Sequence, residues 1–182
     1  DAWGAINLSG VLRRFNYDDG AGASDSAWGG GGHAGITVKT WGKDVVAAVV
    51  NYGKGLGRYL TNVGALDYAV TCNNGRNGLA MSAGCGANIA VSSSIGTWAG
   101  LTHYWTDELR SSAYYGFGST KIDTAKLGAA ANGLTNKTRT AHVNLIWNPV
   151  GKVAIGLEYM YGWRYLAKAI STGTNGSRSA TT

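Results

Sequence analysis

Residues 138–164 alternate between apolar and polar side chains with a period of two, on both sides of the only proline in the chain. That period is typical of a β-strand whose two faces meet different environments. Asn148-Pro149-Val150-Gly151 favours a tight turn, because Pro presets the backbone angle at the second turn position and Gly suits the last. This stretch therefore predicts a hairpin of two antiparallel strands. The first strand shows one apolar face: Ala141, Val143, Leu145 and Trp147.

The second strand of the hairpin has one apolar face and one face of small and charged residues. The apolar face consists of Val153, Ile155, Leu157, Tyr159 and Tyr161, and the other of Ala154, Gly156, Glu158, Met160, Gly162 and Arg164. A soluble β-sandwich turns its apolar face to a core of large side chains. In a transmembrane β-barrel that face meets lipid, the polar face lines the lumen, and aromatic residues lie at the interfaces. The alternation favours the barrel over the sandwich.

The composition agrees with a barrel and excludes other membrane and fibrous classes. Only 14% of the residues are charged, against about 25% in ordinary soluble domains. The 29 glycines follow no fixed period, which excludes collagen. The longest apolar run, at 45–50, is far shorter than the roughly 20 residues of a transmembrane helix. Half of each barrel strand is polar, which explains the mean hydropathy of −0.09.

Charge and cysteine content say less about function. The net charge is +6, but the basic residues are scattered and only Arg13 and Arg14 are adjacent, so we expect lumen or solvent-facing cations and no nucleic-acid partner. Cys72 and Cys85 lie in one Gly/Asn/Ser-rich stretch. A disulfide between them would stabilise the fold by about 3 kcal/mol and is compatible with an oxidising compartment.

Applied to the whole chain, the alternation predicts seven antiparallel strands in a single all-β domain spanning residues 1–182. Short turns at 41–44, 106–108 and 148–151 alternate with long loops at 18–33, 53–97, 118–137 and from 167 onward. Outer-membrane barrels have short periplasmic turns and long external loops. They also have even strand numbers, so the sequence predicts an incomplete barrel. The predicted strands lie near 3–17, 34–40, 45–52, 98–105, 109–117, 139–147 and 153–164.

Two regions of this prediction are the least regular. The run Gly29 to Gly32 is predicted to be a flexible loop. The long stretch 53–97 has no clear period, and parts of 68–70 and 88–92 are candidates for strand extensions.

Several motifs resemble the C-terminal half of the DcaP-like outer-membrane porin family. Their order and spacing fit across about residues 1–166. They are TWGKD at 40–44, NYGKGLGRY at 51–59, HYWT at 103–106 with LRS at 109–111, and NLIWNP at 144–149 with GLEY at 156–159.

The resemblance implies a sixteen-stranded transmembrane β-barrel in the Gram-negative outer membrane. It also implies a homotrimer that passes small, preferentially anionic solutes such as dicarboxylates. The sequence departs from the family in two places. It ends at Ser177-Arg178-Ser179-Ala180-Thr181-Thr182 without the family's final strand and terminal aromatic, and Ala47 and Val49 are less polar than expected for a lumen.

Charged residues on the predicted polar faces are the candidates for a solute pathway. They are Arg13, Lys39, Arg110, Glu158 and Arg164. Four cations against one carboxylate predict a lumen that favours anions, since charged rings lower the barrier for the opposite ion. The competing interpretation is ordinary lumen solvation and ion pairing, for example between Glu158 and a neighbouring Arg.

Other chemistry is weakly indicated. His33, His103 and His142 are dispersed, so no metal site is predicted. The glycines at 53–57 precede no helix, so a nucleotide cofactor is not expected. We expect instead a glycine-rich turn that is anchored by Arg58 and Tyr59. No nucleophile, base and acid are grouped as in a hydrolase, and we expect no enzyme activity. The alternative function is a non-transporting surface barrel, or a secreted β-sandwich with an adhesive or carbohydrate-binding role.

Overall fold

The computed structural model describes residues 3–60, 67–72, 86–127, 131–167 and 177–181. Within these residues, eight strands form one antiparallel sheet in the order β1-β2-β3-β6-β7-β8-β9-β10, and β4 and β5 form a separate hairpin. The strands are β1 Gly4–Asp18, β2 Ser24–Lys39, β3 Val45–Lys54, β4 Tyr68–Cys72, β5 Ala87–Val91, β6 Ser93–Tyr104, β7 Leu109–Thr120, β8 Thr135–Val150, β9 Val153–Leu166 and β10 Ser177–Thr181.

Helical structure is minor in the described chain. A 3-10 turn covers Gly57–Tyr59, and a one-turn helix, α1, covers Thr124–Leu127. Among the described residues, none of the helical segments is long and apolar enough to span a bilayer.

The register of the sheet separates the two faces that the sequence predicts. Leu145 lies opposite Leu157, and Val143 lies opposite Tyr159. Asn144 lies opposite Glu158 on the other face. We call the first face the apolar face and the second the polar face. Exposed members of the apolar face are Ile6, Leu8, Leu12, Ile36, Val46, Val50, Tyr52, Leu101, Tyr115, Val143, Leu145, Trp147, Ile155, Leu157 and Tyr159.

The sheet is open over the described residues, with β1 and β10 as its outer strands. β10 pairs with β9 from Ser177↔Tyr165 to Thr181↔Tyr161. The sequence predicted a loop from residue 167 onward, so this strand was missed. With β10, the sheet has eight strands in the part of the chain that the structure describes, which is an even number.

The run Gly29 to Gly32 is part of β2, so the prediction of a flexible loop there was wrong. Gly30 and Gly31 pair with β1 on one side and with β3 on the other. Two ladders of hydrogen bonds offset the conformational freedom that glycine loses in a strand. The connection between β1 and β2 is consequently short, at residues 19–23.

The turn between β8 and β9 is also shifted from its predicted place. β8 continues to Val150, and Gly151 and Lys152 make the turn. The register shifts between Trp147 and Val150. Proline is tolerated at such an irregularity, because the ladder there needs no donor from Pro149.

Candidate functional site

Part of the long connection between β3 and β6 packs on the polar face of the sheet. We call residues 55–60, 67–72 and 86–92 the inward segment. The rings of Phe15 and Tyr68 lie 5.0 Å apart. The backbone N–H of Ile89 donates to Asp25 at 2.7 Å. Phe15 lies on the polar face, because Leu12 belongs to the apolar face and side chains alternate along β1. Asp25 pairs with Tyr17, which lies on the same face as Phe15, so Asp25 also belongs to the polar face. The segment therefore covers the polar face of β1 and β2.

An ion pair fastens the inward segment to β1. The Arg13 guanidinium lies 2.9 Å from the Asp67 carboxylate and donates to the Gly55 carbonyl at 2.7 Å. Asp67 also accepts the backbone N–H of Arg58 at 2.9 Å. The Arg13 guanidinium lies 5.4 Å from the centre of the Tyr59 ring. Arg13 thus connects one strand of the sheet with both ends of the turn at 55–59.

Glycines on the polar face receive two leucines of this segment. A Cβ at Gly31 or at Gly53 would lie within 2.7 Å of a methyl group of Leu56. A Cβ at Gly96 would collide with Leu60. Leu56 and Leu60 are buried. Because these glycines have no side chains, Leu56 and Leu60 can pack directly against the backbone of the sheet.

The other predicted pathway residues share the polar face but are not brought together. Arg110 donates to the Asn148 side chain at 2.9 Å, near the short turns. Glu158 lies 3.1 Å from His142. Arg164 donates to Thr135 at 2.6 Å and to the Gly133 carbonyl at 3.0 Å, at the opposite end of the sheet. Lys39 is exposed at the short-turn end.

Sequence reasoning missed two residues of this site as functional groups. Asp67 lies in the stretch that showed no period, so nothing in the pattern distinguished it. Arg58 was expected to anchor a turn. Its backbone does so, but its side chain is 75% exposed and its Nε lies 4.0 Å from Asp67. Because Arg13 already pairs closely with Asp67, the exposed cation of this cluster is Arg58.

A pocket of about 480 Å³ lies between the inward segment and β3, β6, β7 and β8. The rings of Trp98 and Tyr114 meet edge to face at 6.0 Å between centroids. The Tyr114 hydroxyl is 3.1 Å from the Thr102 hydroxyl, which is 3.0 Å from that of Ser112. A row of hydroxyls thus leads along the polar face to the pocket. Its lining residues are Asn51, Tyr59, Leu60, Gly96, Thr97, Trp98, Tyr114, Gly116, Phe117, Gly118, Thr140 and His142.

Charged contacts link the two short turns at the other end of the sheet. Lys43 and Asp107 form an ion pair of 2.7 Å. Asp44 accepts the backbone N–H of Tyr104 at 2.9 Å and lies 2.6 Å from His103 Nδ1. These hydrogen bonds, that from Tyr104 first and that from His103 second, lower the pKa of Asp44. The Lys43 ammonium lowers the pKa of Asp107.

No cluster of three or more His, Cys, Asp or Glu side chains suited to a metal occurs within the described ranges. Each histidine has a side-chain partner: Asn51 for His33, Asp44 for His103 and Glu158 for His142. Cys72 ends β4, whereas Cys85 lies outside the described residues, so the disulfide stays a prediction.

Comparison with known proteins supports the fold. The sequence matches no protein-family model and no curated protein. The structure is similar to the crystal structure of the outer membrane channel DcaP of Acinetobacter baumannii, with a TM-score of 0.60 and 20% sequence identity. The match covers 97% of this chain and 51% of that one, so this chain spans about half the length of the channel. The likeness shows an all-β antiparallel sheet folded like part of an outer membrane channel.

Proposed function

We propose that this chain is part of a porin in the Gram-negative outer membrane through which small hydrophilic solutes diffuse passively, with a preference for anions such as dicarboxylates. The proposed assembly is a homotrimer of sixteen-stranded barrels in contact with membrane lipid. The observation that carries the proposal is the separation of an apolar face from a polar face that the inward segment covers in part.

The two faces suit lipid on one side and water on the other. Leu157 is 78% exposed, and Leu8 is 77% exposed. So many exposed apolar side chains in neighbouring strands exceed the patches that soluble monomers tolerate, and they fit a bilayer. The polar face carries a segment that narrows the space beside the sheet, as expected of a selective pore.

Exposed cations support the preference for anions. Arg58, Lys39 and Arg164 are exposed on or beside the polar face, and Arg110 is partly buried there. Asp67 compensates Arg13, and the Glu158 carboxylate lies beside His142. Asp25 also lies on the polar face, where it accepts the backbone N–H of Ile89. Arg58, Lys39, Arg110 and Arg164 still outnumber Asp25 and Glu158, so the balance among these described residues is positive. In a narrow, low-dielectric passage such charges attract anions, with screening beyond about 8 Å in physiological salt.

Reversal potentials test this proposal. The full-length protein is reconstituted in planar bilayers under a KCl gradient. We expect an anion-selective potential that moves towards zero in Arg58→Gln and Arg110→Gln, with Lys152→Gln in the β8–β9 turn as the matched control. A cation-selective potential, or no effect of the two arginine variants, would contradict the anion preference. Absence of conductance would contradict the porin itself.

A further inference from the structure

We propose that the pocket under the inward segment is a binding site for an uncharged, hydroxylated ring of monosaccharide size. The proposal rests on the porin function, since the solute would reach the pocket through the lumen. It goes beyond the anion preference, because the pocket selects by a different chemistry from the exposed cations.

The pocket has the size and the flat walls that a ring solute requires. Its volume of about 480 Å³ lies within the range of about 300 to 1,000 Å³ that is usual for small-molecule sites. Trp98 is 39% exposed and Tyr59 is 60% exposed. Gly116 pairs with Trp98, and Gly118 pairs with Gly96 across the β6–β7 ladder, so these three glycines add no side chains of their own to the floor. Leu60 packs over Gly96, and the Thr140 hydroxyl lies over Gly116.

An aromatic face suits the C–H face of a sugar ring. The face of an aromatic ring carries partial negative charge and attracts the weakly positive C–H bonds of a stacked ring. The edge-to-face contact between Trp98 and Tyr114 fixes the orientation of the indole. The rings of Trp98, Tyr59 and Tyr114 and the buried side chain of Leu60 line one pocket, so they provide the apolar area for such a contact.

The polar groups of the pocket suit hydroxyls. The Asn51 carbonyl oxygen contacts His33 Nδ1 at 2.7 Å, which leaves the amide nitrogen as a donor. His142 uses Nδ1 towards Glu158 at 3.1 Å, which leaves Nε2 at the far side of its ring. Thr140 adds a hydroxyl, which donates and accepts. Donors and acceptors are therefore mixed, as a polyol needs.

Charge argues against an anion in the same pocket. None of its described lining residues is Lys, Arg, Asp or Glu. Glu158 lies beside His142, so a carboxylate bound there would face a like charge at close range. A neutral ring meets no such cost.

Solute-induced current reduction in single channels tests the site. The full-length protein in planar bilayers is titrated with glucose and, separately, with glucuronate, which differs by a carboxylate. We expect glucose to reduce the conductance saturably and glucuronate to act at least tenfold more weakly. In Trp98→Ala the half-saturating glucose concentration should rise by about tenfold. Trp105→Ala, at an exposed tryptophan of a short turn, is the matched control and should behave as wild type.

Three results would overturn the site. The first is a conducting wild-type channel whose conductance glucose changes only through bulk viscosity. The second is a lower half-saturating concentration for glucuronate than for glucose. The third is an equal change of the half-saturating glucose concentration in Trp98→Ala and Trp105→Ala. Thr140→Val gives a second measurement that keeps the aromatic wall, and we expect the half-saturating glucose concentration to rise there as well. A protein without any conductance would instead refute the channel on which the site depends.

Discussion

Asp67 lies 2.9 Å from Arg13, a residue 54 positions earlier in the chain, and its side chain is only 7% exposed. It also accepts the backbone N–H of Arg58. One carboxylate therefore holds the turn at 55–59 and the start of the β4–β5 hairpin against β1. This contact fixes the position of the inward segment on the polar face.

Replacing Asp67 with Asn should loosen the inward segment. The variant loses the charge that both arginines face, and hydrogen bonds to charged groups contribute roughly 1.5 to 3 kcal/mol each. We expect a lower unfolding temperature and a larger, noisier single-channel conductance, measured in planar bilayers. Asp107→Asn removes an exposed ion pair far from the segment and should leave the conductance unchanged. Wild-type conductance in Asp67→Asn would show that the ion pair does not hold the segment.

A side chain at Gly96 should displace Leu60. A Cβ there collides with the buried leucine, and overpacking of this kind costs about 1 to 3 kcal/mol. We expect Gly96→Val to unfold at lower temperature and to expose the inward segment to added protease. Gly10→Val is the control, because its nearest neighbour, the Gly31 carbonyl oxygen, is 3.6 Å from the added Cβ. Equal protease sensitivity of the two variants would show that the packing of Leu60 does not depend on a glycine at position 96.

The sheet and its faces could be predicted because they depend on a local pattern. A two-residue period assigns a face to each residue, so the sequence places both Leu145 and Leu157 on apolar faces. Their pairing with each other depends on the shifted turn and on the register shift between Trp147 and Val150, which the period does not predict. The glycine run in β2 could not be predicted. Its glycines provide no alternation, and their place in the sheet depends on β1 and β3 pairing with them from both sides.

The inward segment could not be predicted from the sequence for a different reason. Its contacts join Arg13 to Asp67 and Asp25 to Ile89, residues that are 54 and 64 positions apart. Contacts between residues so far apart in the chain leave no periodic pattern in the sequence. The consequence for the candidate site is specific: Arg13 was predicted as a lumen cation but is compensated by Asp67, and Arg58 takes the exposed position.

Charge on the apolar face should prevent stable insertion. Leu145→Arg or Leu157→Arg should cost roughly 2 to 4 kcal/mol near the middle of the membrane. Asn144→Arg and Gly156→Arg place the same charge on the polar face and should be milder. Folding into lipid vesicles, followed by the heat-dependent shift in gel mobility, measures the difference. Similar losses in both pairs would mean that the two faces do not meet lipid and water.

Acid should weaken the contact between the two short turns. The pKa of Asp44 is lowered by its hydrogen bonds, so the ionised form stabilises the fold above the ordinary Asp value of about 3.9, and this contribution is lost as pH falls through the lower folded value. Asp44→Asn keeps an oxygen for the Tyr104 N–H but cannot ionise. We expect the gap in unfolding temperature between wild type and Asp44→Asn to shrink below about pH 4. A gap independent of pH would contradict this role of the charge.

The most direct test of the account is the accessibility of two adjacent residues of β9 in the membrane. Gly156 belongs to the polar face and Leu157 to the apolar face, and both are exposed in the sheet. Each is changed to Cys in a background where Cys72 and Cys85 are Ser, and intact cells are treated with a charged, membrane-impermeant thiol reagent. We expect rapid labelling of Gly156→Cys and protection of Leu157→Cys. Equal labelling of both, or labelling of Leu157→Cys alone, would contradict a lumen on the polar face.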